Sequence, residues 1–375
     1  MARTAHTADA IVIGGGLHGC ATALYLAKAG LKPVVLEKDH VGRHASGVNA
    51  GGVRRLGRAL PEIPLAVAAL AQWHNIRDLL DDDCGFTSPG QIKIAEDEVG
   101  LRALKARRRM VVDYGFDHEE MIDRNELRDL VPAVAPHCIG GMVVRDDGYA
   151  NPYQTVQAFR RKAISLGVRI VENNPFVSLE KQGGLWRITS ARGDLEAPVV
   201  VNCAGAWGGH IAAMLGDPVP LEAQALMLMI TDRLKPFVKP VVGAQGRSLS
   251  FKQFDNGTVL IGGAFRGRAE PEHNRTHLDQ MGLAANAANA AVVFPAMRGV
   301  RIVRCWAGIE GRMADDIPAI GASTAEGAFH AFGFSAHGFA LSPIVGRIIA
   351  DLVTKGATGL PIDAFSVERF SEKAR

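Results

Sequence analysis

The sequence predicts an α/β chain in which a doubly wound, Rossmann-like dinucleotide-binding domain is interrupted by an α+β lobe built on an antiparallel sheet. Three observations carry that expectation. The chain opens on a βαβ unit with a glycine-rich turn, apolar strands without alternation return near residues 200 and 330, and alternating strands fill the space between.

The apolar run Ala10-Ile-Val-Ile13 meets Gly14-Gly-Gly16, apolar residues recur at helical spacing from Cys20 to Ala29, and Pro33-Val-Val-Leu-Glu37 gives the second strand. A helix follows over 65–80, then a strand at Gly90–Ala95 and a charged helix over 96–113. Residues 153–166 read as an amphipathic helix, 168–171 as a strand, and Trp186–Thr189 as one arm of a small antiparallel sheet. The run Ala197–Ala204 lacks alternation, as expected of a strand covered on both faces. Alternation returns at 226–231 and 248–254, where Asp255-Asn-Gly257 turns the chain into a strand over 258–261. The last quarter supplies a strand at 329–332, the turn Gly333-Phe-Ser-Ala-His-Gly338, and a helix from about Ser342 to Leu352. This order assigns 1–85, 148–218 and 302–375 to the dinucleotide domain, and 86–147 and 219–301 to the substrate domain.

Composition sets limits on function. Across 375 residues, 47% are hydrophobic and 22% charged, which excludes a disordered chain, and a formal charge of +3 is too small for a dedicated nucleic-acid binder. Lys105–Arg109 reads as a solvated helix face. Five scattered cysteines without a Cys-x-x-Cys pair argue against a disulfide framework, a zinc site or an iron–sulfur cluster. Neither a secretory signal nor a membrane-spanning run is visible, so a cytoplasmic protein is expected.

Gly14-Gly-Gly16-Leu-His-Gly19 satisfies G-x-G-x-x-G directly after a strand and at the start of a helix, with Glu37 ending the next strand. Gly14 permits the tight turn, Gly16 lets a pyrophosphate approach the backbone, Gly19 allows close helix packing, and Glu37 accepts from ribose hydroxyls. The motif alone does not choose between NAD and FAD. Gly42-Arg-His-Ala-Ser-Gly-Val-Asn-Ala-Gly-Gly52 adds small and polar residues suited to a phosphate and a flat ring.

The ordered set formed by Ile11–Glu37, Ala45–Gly52, Asp147–Pro152, Asn202–Trp207, Trp306–Arg312 with Pro318–Gly321, and Gly333–Gly338 resembles the D-amino-acid oxidase family of FAD-dependent oxidoreductases. The similarity is greatest to the branch with glycine oxidase, sarcosine oxidase β subunit and proline or hydroxyproline dehydrogenases, and it covers nearly the whole chain. It implies a glutathione-reductase-type FAD domain and noncovalent FAD. Cofactor contacts are implied at Gly14, Gly16, Leu17, His18, Gly19, Glu37, Lys38, His44, Ala45, Ser46, Asn49, Ala50, Gly51 and Gly52. The same holds for Val177, Cys203, Ala204, Gly205, Trp207, Gly308, Arg312, Gly333, Ser335, Ala336, His337, Gly338 and Phe339. For the substrate, the resemblance points to Arg312 as the partner of a carboxylate, with Arg54, Arg55 and His337 beside flavin and substrate. Lys252 lies on an alternating strand of the second lobe, where related oxidases present polar residues; its pattern position alone reads as an exposed lysine.

The activity implied is hydride transfer from the carbon next to nitrogen of a small amino acid or secondary or cyclic amine to flavin N5, giving an imine. A 2-hydroxy-acid dehydrogenase on the same fold, or a flavin-bearing subunit of a larger complex, is the alternative. The electron acceptor is either oxygen or a partner subunit, in a homo- or hetero-oligomer, and no nucleic acid or metal is called for.

Overall fold

The computed structural model describes residues 6–371. Its organising sheet has six strands in the order Ala319–Ala322, Ala328–Phe332, Val199–Asn202, Ala10–Ile13, Pro33–Leu36 and Arg169–Val171, parallel except for the first pair. The central strands read as unbroken apolar runs because both faces are covered. Val12, Val35, Val201 and Ala331 pack under helices Leu17–Lys28, Ile63–His74, Pro152–Ser165 and Gly338–Lys355. Ile11, Ile13, Val34 and Val200 face Trp186, Ile188 and Leu195 of a small four-stranded sheet on the other side.

The second lobe is a ten-stranded sheet, antiparallel except where Gln91–Ala95 and Val241–Gln245 run parallel. Leu127, Phe251, Ile261, Leu283 and Phe294 form its core under helices Arg124–Leu130 and Gln280–Val293. The strand Ile302–Met313, placed with the dinucleotide domain by the sequence, belongs to this sheet. It pairs with Leu221–Thr231 from Leu221 opposite Met313 to Thr231 opposite Ile302, a ladder too long to be an edge contact.

Local departures from the sequence reading have local causes. The helix expected over 65–80 breaks at Asn75 into Ile63–His74 and Ile76–Leu80, and the side-chain amide of Asn75 donates back to Ala71 O at 2.9 Å. The expected loop over 42–52 contains a short helix, Ala45–Val48. The last helix begins at Gly338, ahead of Pro343, which cannot donate to Phe339 O; the Ser342 hydroxyl donates there instead at 2.9 Å. On the charged helix Glu98–Asp113, Arg107 departs from the solvated face, donating to buried Glu119 at 3.0 Å and to Arg58 O at 2.8 Å.

Buried Asp147 fixes the backbone that enters the site. Its carboxylate accepts from the amides of Arg55 and Leu56, each at 2.9 Å, while Gly148–Tyr149 pairs with Gly52–Val53. Burial pushes its pKa up to about 6 against those amides. Asp147→Ala leaves both donors unpaired, so the urea midpoint is expected to fall by the equivalent of about 1–3 kcal/mol per amide. A midpoint equal to the parent's would show that this segment is held by other contacts.

Candidate active site

The strand Ala10–Ile13 ends in a turn that only glycine accommodates. Gly14 has φ of +106°, and a Cβ there would stand 2.4 Å from Cys203 O; a Cβ on Gly19 would stand 1.8 Å from Gly14 O. The turn is therefore pressed against the neighbouring strand, with Gly14, Gly16 and Leu17 on the wall of a cavity. Leu17 N donates to the Ser46 hydroxyl at 2.9 Å, and Gly15 N and Asp39 N each donate to the Glu37 carboxylate at 2.8 Å. Burial raises the Glu37 pKa and the two amides oppose it, so the carboxylate is oriented yet retains lone pairs for a further donor.

The segment Ala45–Gly52 is organised by Asn49, whose side-chain amide donates to Ala45 O and Ser46 O while its carbonyl accepts from Gly51 N at 2.7 Å. Two groups from the other sheet secure it. Trp306 donates its indole N–H to Val48 O at 2.8 Å, and the Lys252 ammonium donates to Ala50 O. Lys252 is not the exposed strand lysine that its pattern position implied. It is 4% exposed, lies 4.4 Å above the Tyr149 ring, and burial brings its pKa down to about 7.

Gly333–Phe339 forms the opposite wall. Gly333, Ser335 and Ala336 all have positive φ, a conformation that costs energy for the two non-glycine residues and bends the backbone ahead of the helix Gly338–Lys355. Strand Ile302–Met313 holds the bend in place: Arg312 bridges to Phe334, Ser335 N donates to Gly311 O at 3.1 Å, and Met313 N donates to the Ser335 hydroxyl at 3.1 Å. His18 stacks on Phe334 with ring centroids 3.6 Å apart, and burial holds its pKa at about 3, so it is a neutral ring. His337 lies 3.3 Å from Glu62, and its carbonyl accepts from Arg58 at 2.9 Å. Burial lowers its pKa, opposed by Glu62.

These walls enclose one cavity of about 820 Å³ that runs from Gly14 and Glu37 to the face of the ten-stranded sheet at Ile92, Val242 and Ser250. Most of the sequence-derived residues line it: Gly14, Gly16, Leu17, His18, Glu37, Lys38, His44–Ser46, Asn49–Gly52, Arg54, Cys203–Gly205, Trp207, Lys252, Gly308, Gly333 and Ser335–Phe339. Gly19 lies behind the wall and serves packing. Val177 points away, 55% exposed beyond an irregularity in the strand pairing, and its neighbours Pro175 and Phe176 line the cavity in its place. Arg55 reaches Asp146 and Asp147 rather than the cavity.

Arg312 requires the largest correction. Its guanidinium donates to both oxygens of Asp316, at 2.6 and 3.0 Å, and it is absent from the cavity wall. Glu310, two residues earlier on the same face of the strand, is the side chain that enters the cavity. The sequence reading passed over Glu310, although Gly308 two residues before it was already placed at the cofactor. Lys93, on the strand Gln91–Ala95, is a second cavity-lining residue that the pattern did not single out.

The model of the FAD dependent oxidoreductase family matches residues 9–352. The chain belongs to this family, and its cofactor is FAD. It is 27% identical over 370 residues to the sarcosine oxidase subunit beta of Rhizobium meliloti, covering 96% of this chain and 88% of that one. It is 26% identical to the glycine oxidase of Bacillus licheniformis, covering 96% and 97%. The crystal structure of glycine oxidase from Geobacillus kaustophilus superposes with a TM-score of 0.89 at 24% identity, over 97% of this chain and 99% of that chain. The residues present fit the cofactor. Gly14, Gly16 and Leu17 of the glycine turn line the cavity, Glu37 is oriented for a ribose, and among the described residues the ring nitrogens His18 Nδ1 and His44 Nε2 are buried without a partner at the wall. Among the described residues no helix is long and apolar enough to cross a membrane.

Glu37→Lys replaces the oriented acceptor with a cation that cannot accept, and it also removes the partner of Gly15 N. The purified variant is expected to carry less than a tenth of the parent's FAD per chain by absorbance after desalting. Parental FAD content would remove Glu37 from the cofactor site.

Proposed function

We propose that the chain oxidises a small amino acid or a secondary or cyclic amine, with FAD bound noncovalently. The observation that carries this reading is the single cavity joining the dinucleotide turn to a wall that presents Lys252 and Lys93 from the ten-stranded sheet and Arg54 from the segment after Gly52–Val53. Those cations suit a substrate carboxylate, and Arg54 is itself held by donation to Leu56 O. FAD supplies the hydride acceptor; the chain supplies position, charge and exclusion of water. Orientation matters more than a dedicated base, because an amine whose nitrogen lone pair is free needs chiefly an aligned C–H bond. Noncovalent attachment is supported by Cys203, the cysteine on the cavity wall, whose thiol is pushed up to about 12 by burial and is a poor nucleophile at neutral pH.

Anaerobic mixing of the yellow protein with a panel of amino acids, N-methyl amino acids, prolines, opines and hydroxy acids is expected to bleach the flavin with an amine and leave it oxidised with the hydroxy acids. Acid precipitation is expected to release the chromophore into the supernatant. Bleaching by hydroxy acids alone would make the protein a hydroxy-acid dehydrogenase, and flavin retained on the precipitate would overturn noncovalent binding.

A further inference from the structure

Glu310 is the acidic residue on the cavity wall that the cofactor reading does not use. Glu37 belongs to the glycine turn, and the remaining charged groups on the wall are cations or histidines. Glu310 stands where the two sheets meet. Its strand neighbours Gly308 and Gly311 pack against Ala45 and Gly205, and Ala336 N donates to its carboxylate from the bend Gly333–Phe339. Among the described residues no ion pair neutralises it. Arg266 exerts a favourable field without reaching it, and Arg312, the cation nearest in sequence, is taken by Asp316. A carboxylate held out of water without a cation is costly, and burial drives its pKa up to about 7.

We propose that Glu310 receives the positively charged nitrogen of the substrate and is the residue by which the site selects amines over hydroxy acids. The inference rests on the amine-oxidising reading above and deepens it. An amino acid brings an ammonium that pairs with Glu310 while its carboxylate faces the cations of the wall, and passage of one ammonium proton to the Glu310 carboxylate frees the lone pair that hydride transfer needs. The corresponding hydroxy acid brings no positive charge, leaving Glu310 unpaired beside a second carboxylate. The discrimination therefore arises from a missing partner as much as from an attraction. The same carboxylate explains why an arginine at this point of the wall is not needed: the anion is met from the sheet side, by residues of other strands.

The test uses the FAD-loaded protein and two compounds of the same shape that lack the α-hydrogen needed for oxidation, 2-aminoisobutyrate and 2-hydroxyisobutyrate, with binding followed through the flavin visible spectrum. The parent is expected to bind the amine at least about tenfold more tightly than the hydroxy acid, the lower end of what losing one partner of a buried charge pair produces. Glu310→Gln is expected to abolish that preference while keeping the flavin spectrum, and Glu310→Asp to restore part of it. A Gln variant that keeps the parental preference, or a parent that binds neither compound or shows no preference, overturns the proposal. Its failure is separable from failure of the functional reading: amines bleaching the flavin of parent and Gln variant with equal affinity would leave amine oxidation standing and remove Glu310 alone. Bleaching by hydroxy acids only would remove both.

Discussion

The site depends on the ladder between Leu221–Thr231 and Ile302–Met313. These two strands carry the chain from the dinucleotide domain into the second segment of the substrate sheet and back, and their pairing is continuous from Leu221 to Thr231 apart from one irregularity at its end. The two loop walls of the cavity are then referenced to the second of them. Trp306 holds Val48, Gly308 admits Ala45, Gly311 accepts from Ser335, and Arg312 bridges to Phe334. Slipping this strand by one residue would turn the Glu310 side chain to the opposite face of its sheet, because side chains alternate along a strand.

That constraint explains how two chemically different tasks share one cavity. On the dinucleotide side, the wall is made of the glycine turn and small residues, with the oriented Glu37 carboxylate and the rings of His18 and His44 among them. On the sheet side, the wall is made of side chains from separate strands: Lys93, Lys252 and Glu310. Charges supplied by different strands are held apart by the sheet, and among the described residues none of the three forms an ion pair within the protein. Lys252 shows the cost of that arrangement, since its amine is buried against Tyr149 and Ala50 O and loses affinity for its proton.

The cofactor half was legible in the sequence because its determinants are local. Gly14, Gly16, Gly19 and Glu37 lie within one βαβ unit, and Asn49 organises its own loop through bonds to Ala45, Ser46 and Gly51. The substrate half was less legible because its determinants are set by register between distant strands. Lys252 looked exposed on its own strand, yet the strand's inner face is the cavity wall. Arg312 is pointed to by the resemblance, and the nearby Asp316, held in a left-handed turn at φ of 61°, takes it up. Glu310 lies within the motif Trp306–Arg312 yet is given no role by it; its position two residues from Gly308 on the same strand face is the signal that points to it.

One cavity joins the cofactor's turn to the Glu310 carboxylate, and the proposed role of Glu310 requires both to meet the same substrate. The most direct measurement is a crystal structure of the FAD-loaded protein with 2-aminoisobutyrate bound. The account predicts electron density for the adenosine ribose on Glu37, and the amine nitrogen within hydrogen-bonding distance of Glu310. A cofactor bound away from Glu37, or an amine nitrogen directed at other groups with Glu310 left to solvent, would contradict it.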